Sequence, residues 1–151
     1  MSSVRTMTSP ASVPRILAGA AAASALVGGF AHLRLYNDGY KDIPVGNIGE
    51  QFLLNAAGAA AIAVGLVSAI VLRIVPRWVG WLAAAGAIAW GAISLIAFFV
   101  ARTSGGWFGF TDQPGLNPAP EAAIAVTSES VAIVLGAALL VAEWTRRRSV
   151  S

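Results

Sequence analysis

Apolar positions along this chain fall in four long blocks. Residues 16–35 hold no ionisable side chain before His32 and Arg34, near their end. Residues 52–72 carry no charge, and Asn55 and Ser68 are their only polar side chains. Residues 79–101 carry none, and residues 122–142 carry one, Glu129. Each block is close to the roughly 20 helical residues that cross a hydrocarbon core of about 30 Å. A helix satisfies its own backbone groups, which lipid cannot do. The pattern predicts an all-α fold, a four-transmembrane-helix bundle over about 14–36, 48–75, 79–101 and 118–144. This membrane domain, 13–145, is expected between a disordered Ser/Thr-rich tail (1–12) and a short basic tail (146–151).

Local signals set the ends. Pro14 suits a first helical turn. Asn47 reads as an N-cap with Glu50 three residues on, like a capping box. Pro76 stops the second helix. Asn117 reads as the cap of the fourth, with Pro118 at its first position.

The connections carry a second pattern. Residues 39–47 read GYKDIPVGN and residues 109–117 read GFTDQPGLN, which matches Gly39 with Gly109, Tyr40 with Phe110, Asp42 with Asp112, Pro44 with Pro114 and Asn47 with Asn117. Either one helix–loop–helix unit is present twice, as in parallel membrane repeats, or two similar turns each end in an Asn cap. His32 aligns with Arg102, whereas Asn55 and Glu129 have no polar counterpart, so any function is expected to be asymmetric.

Composition sharpens the membrane reading. Hydrophobic residues make up 57% of the chain and charged residues 11%, against about a quarter charged in water-soluble domains. The pI near 10.2 does not imply nucleic acid, because the basic residues are sorted by position. Arg5, Arg15, Arg73, Arg77, Arg146, Arg147 and Arg148 fall in the tails and the middle loop, and such residues stay cytoplasmic. Both termini are thus expected inside a plasma membrane, with the two long loops outside. Trp78, Trp81 and Trp144 mark the inner boundary, and Tyr36, Tyr40 and Trp107 the outer one. Residues 1–25 also read as a signal peptide ending at Ala23-Ser24-Ala25. The apolar run continues past Ala25, and the repeated unit needs four helices. The absence of cysteine removes disulfides, thiolate metal sites and a cysteine nucleophile.

The candidate chemistry lies inside the apolar blocks. A charge at the depth of Glu129 costs several kcal/mol, so such a residue faces the bundle or a wet cavity. Ala125, Ala132 and Gly136 share its helical face. His32 shares a face with Ala25, Gly28 and Gly29, and Asn55 with Gln51 and Gly58. Small residues mark the side where helices approach. These placements predict a polar cluster of His32, Asn55 and Glu129 in the outer half of the bundle, with Thr127, Ser128 or Ser130 as possible contributors. Such a cluster serves either as interhelical glue or as a ligand or proton site. Ala57, Ala61 and Gly65 form a further small-residue ridge, facing the bundle or another subunit. Trp90 reads as packing. One His without Cys makes a metal site improbable, and Asp42 and Asp112 read as turn residues. No nucleophile–base spacing or phosphate-binding glycine loop is present.

The stretch 31–59, AHLRLYNDGYKDIPVGNIGEQFLLNAAGA, with WFGF at 107–110 and Glu129, resembles a group of small four-helix integral membrane proteins of high-GC actinobacteria. The matching residues are His32, Leu33, Tyr40, Asp42, Ile43, Pro44, Phe52, Leu53, Leu54 and Asn55. The resemblance implies topology and carries no activity. The four-helix layout is more loosely similar to DoxX-like membrane proteins, some of which belong to quinone-linked oxidoreductases. No motif brings that activity over.

Three roles compete. The first expectation is a non-catalytic accessory subunit or scaffold, in contact with lipids and with other membrane subunits or a second copy of itself. The alternative is a binder or redox partner of a lipophilic molecule, a quinone or a lipid, through His32, Asn55 and Glu129 in an apolar pocket open to the outer leaflet. A proton or cation path ranks last, because helix 3 offers only Ser94 and helix 2 only Ser68 as polar side chains toward the inner face.

Overall fold

A computed structural model of the protein describes residues 12–148. Four helices build it: α1 (Ser12–Asn37), α2 (Ile48–Leu66, continued by a π-turn over Val67–Val71), α3 (Arg77–Val100) and α4 (Glu121–Arg148). Among the described residues there is no strand, only an isolated bridge between Trp107 and Phe110. All four helices are long and apolar enough to cross a membrane, as suits a multi-pass integral membrane protein. They form a ring in chain order. α1 packs on α2 and α4, α3 packs on the same two, and the diagonal pairs scarcely meet. Both long connections therefore lie at one end, the loop end. The 72–76 turn and the outer ends of α1 and α4 form the other, the tail end.

Small residues set the spacing. Ala18, Ala21, Ala25, Ala59, Ala84, Ala87 and Ala132 are fully buried, with Leu66 and Leu139 filling the middle. A Cβ on Gly29 would stand 2.6 Å from that of Ala59, so α1 and α2 meet at van der Waals range because no side chain intervenes. Larger apolar groups such as Phe30, Leu54, Val64, Leu82 and Val134 point outward, where hydrocarbon is the matching solvent. Ala57 and Ala61 are on that outer surface too, while Gly65 lies against Ala83. The expected ridge is thus split, since two of its three members face away from the bundle.

Three helix ends differ from expectation. α2 stops at Val71 instead of near 75. Arg73 turns left-handed (φ 62°) and the Ile74 N–H closes onto the Ser68 carbonyl at 2.9 Å, a Schellman-type stop before Pro76. α4 begins at Glu121, not at Pro118. The carbonyls of Pro118 and Pro120 accept from the N–H groups of Ala122 and Ile124 at the start of the helix. At its far end α4 runs through Arg146, Arg147 and Arg148, which are helical rather than a tail. The tail expected over 1–12 lies outside the described residues except Ser12, as do 149–151.

Neither Asn acts as an expected cap. Asn47 holds the position before α2 but is left-handed (φ 51°), and its side chain makes no cap bond. Gln51 instead reaches back to the Gly46 carbonyl at 2.6 Å. Asn117 donates backward to the Pro114 carbonyl. The matched loops also differ in backbone, the first making a 3-10 turn over Tyr40–Asp42 and the second the Trp107–Phe110 bridge. They nonetheless touch through matched positions, with Tyr40 edge-on to Phe110 at 6.0 Å between ring centroids.

Candidate functional site

Three of the four helices place one polar side chain each at a common level below the loops, and the fourth adds two. His32 comes from α1, Asn55 from α2, Trp90 and Ser94 from α3, and Glu129 from α4. Glu129 is 1% exposed. α3 comes close to it because Gly91 has no side chain: a Cβ there would stand 2.8 Å from the Glu129 carbonyl oxygen.

The donors and acceptors run in one direction. Trp90 Nε1, which can only donate, gives its hydrogen to Asn55 Oδ1 at 3.0 Å. That bond orients the amide, so Asn55 Nδ2 donates to Ser94 Oγ. Ser94 is in turn hydrogen-bonded to the Glu129 carboxyl group. A four-residue chain thus ends on Glu129.

His32 approaches the same carboxylate from the other side, with Nε2 3.6 Å from Glu129 Oε1. Its Nδ1 lies 2.9 Å from the Gly28 carbonyl, so Nδ1 carries a hydrogen. Neutral His32 therefore turns a lone pair toward Glu129. Oε1 is buried and has no hydrogen-bond partner among the described residues. With His32 neutral and Glu129 ionised, two acceptors face each other. A proton on either one, or a donor between them, turns the juxtaposition into an attraction.

Both groups line a cavity of about 340 Å³. This is at the lower end of the range for small-molecule pockets, roughly 300–1,000 Å³. Phe52, Trp90 and Phe98 supply aromatic walls. Leu54 and Ile93 line it as well and are 70% and 60% exposed, so it opens sideways between α2 and α3 into the apolar surroundings.

The second long loop roofs the cavity. Trp107 Nε1 donates to Gln51 Oε1 at 2.7 Å. Arg102 sits over the Phe98 ring, its Cζ 3.4 Å from the centroid, and donates to the carbonyls of Phe98 and Gly115. Asp112 is 3.5 Å from Arg102 and accepts the Tyr40 hydroxyl at 2.9 Å. Burial, reinforced by the adjacent Asp112 carboxylate, pushes the Tyr40 phenol above its ordinary range. Burial also lowers the Arg102 guanidinium, against the opposing pull of Asp112 and Tyr40.

His32, Asn55 and Glu129 therefore line one cavity. The other candidates do not join it. Ser128 and Ser130 donate to carbonyls of their own helix, and Thr127 is exposed. Ser94 and Trp90 complete the chain although neither was expected to. Of the loop-end acids, Glu121 pairs with Arg34 at 3.0 Å, and no three His, Asp or Glu converge among the described residues as a metal site would need. No family model matches the chain, and no curated protein or solved structure matches it.

Proposed function

We propose that the protein is a membrane receptor or carrier for a lipophilic molecule whose head donates a hydrogen bond. The single observation that supports this is the juxtaposition of His32 Nε2 and the unpartnered Glu129 Oε1 at the base of a cavity open to the apolar surroundings. An amine placed between them donates to both, whereas a hydroxyl donates to one and, with a proton on the other, accepts from it; the aromatic walls take the apolar body. A quinol has such a hydroxyl and belongs to the class. No redox step is required of the protein in this reading. The arginine distribution supports a tail end on the cytoplasmic side of the cell membrane, which puts the cavity in the outer leaflet.

The accessory-subunit role has one observation in its favour, the outward-facing Ala57 and Ala61. Mass spectrometry of the gently extracted protein separates the two. The binder reading expects a co-purifying hydroxyl- or amine-bearing lipophile. That molecule is lost in His32→Ala and in Ile93→Trp, which blocks the side opening, and is kept in Leu82→Trp on an equally exposed surface. Recovery of a partner chain, with no small molecule in any variant, would decide for the accessory role.

A further inference from the structure

The tail end gathers charge of a different kind. Arg15 of α1, Arg73 of the α2–α3 turn, Arg77 of α3 and Arg146 of α4 line one small recess around Glu143. Glu143 is 1% exposed. Arg77 donates to its Oε2, and Arg146 stands 3.5 Å from the same oxygen. Arg15 and Arg73 have no acidic partner among the described residues. Arg77 and Arg146 thus take up the Glu143 carboxylate, and Arg15 and Arg73 add positive charge that it does not meet. Arg73 is also held left-handed, a conformation that disfavours any residue with a Cβ by about 1 kcal/mol. Glycine is the usual choice at such a helix stop.

We propose that this recess is a binding site for the phosphate of an anionic lipid. Guanidinium groups match phosphate oxygens in pairs, and several of them together outweigh the single carboxylate. Basic pockets between membrane helices are a recurring form of lipid headgroup site. Size places the phosphate. The gap beside Glu143 is about 10 Å³, which admits one water and no headgroup, so the phosphate lies at the rim against Arg15 and Arg73. The neighbours of those two arginines favour a lipid over a free ion. Ile16, Leu72 and Ile74 are 63%, 58% and 72% exposed, offering acyl chains an apolar surface directly beside the charge.

The test is native mass spectrometry of the purified full chain titrated with phosphatidylglycerol or phosphatidylcholine. Wild type is expected to retain phosphatidylglycerol preferentially. Arg15→Gln and Arg73→Gly are each expected to reduce that preference about fivefold, the loss expected for one basic side chain at an anionic surface. Arg34→Gln at the loop end is expected to leave it unchanged. Arg73→Gly guards against misfolding, because glycine suits the left-handed backbone. Its melting temperature is expected to hold or rise while the lipid is lost. Equal retention of the two lipids, or a preference surviving both substitutions, would overturn the proposal. Displacement of the lipid by millimolar inorganic phosphate would reassign the site to a free anion and overturn the lipid assignment.

Discussion

The indole N–H of Trp90 donates to the side-chain oxygen of Asn55, and this bond sets the direction of every polar contact that follows. The amide has to present its nitrogen to Ser94, and Ser94 its hydrogen to Glu129. Replacing Asn55 by Ala removes the middle of that chain. Trp90 keeps a partner, since the Asn55 backbone carbonyl lies 3.1 Å away. The loss falls on Ser94 and the orientation of Glu129. The expected cost is about 1 kcal/mol, the scale of interhelical hydrogen bonds in membranes. Thermal unfolding in detergent measures it. Asn55→Ala is also expected to lower retention of any lipophile bound in the cavity.

Gly28 is a tighter constraint. A Cβ there would stand 2.7 Å from Ser128 Oγ and 2.8 Å from the Trp90 ring. Gly28→Ala is expected to destabilise by about 1–3 kcal/mol, the usual penalty of overpacking, because Trp90 cannot shift without leaving Asn55. Gly19 has nothing within 4 Å of such a Cβ, so Gly19→Ala is expected to be neutral or slightly stabilising. A scan giving both variants the same melting temperature would contradict the described packing of α1.

Arg102 fastens the roof. Its side chain is 11% exposed and joins the top of α3 to Gly115 and Asp112. Arg102→Gln is expected to release the 103–117 loop without unfolding the helices. Amide hydrogen exchange is expected to rise across that loop and stay low in α1 and α4. Bound lipophile is expected to dissociate faster from the variant.

Tyr40 gives a pH signature at the same roof. Its folded pKa is raised above the ordinary tyrosine value near 10. The folded state therefore holds this proton more tightly than the unfolded state does. The resulting stabilisation is complete below about pH 10 and falls as pH rises above it. Tyr40→Phe is expected to remove that part of the alkaline loss. The ultraviolet titration of the phenols should likewise differ between wild type and variant only above the ordinary range. Superimposable alkaline profiles would show that the Asp112 contact has no such effect.

The bundle and the core of the site were legible for one reason. His32, Asn55 and Glu129 are costly in apolar helices, and each shares a helical face with small residues. Depth and direction could then be read from helical spacing alone. Ser94 gave no comparable signal, because a serine in such a helix readily bonds its own turn, as Ser130 does with Val126. Trp90 read as packing since its N–H is one small part of a large apolar group. The roof of Arg102, Asp112 and Trp107 depends on how one loop folds over another helix pair, which periodicity does not encode. The start of α4 was misplaced because Pro118 was judged without Pro120.

Buried alanines and leucines around Leu66 and Leu139 fill the bundle on the tail side of Glu129. The cavity is therefore a cul-de-sac: whatever reaches Glu129 has to back out through the doorway between α2 and α3. Under the proposed function, exchange would be confined to the half of the membrane at the loop end, and delivery to the opposite half would fall to another molecule.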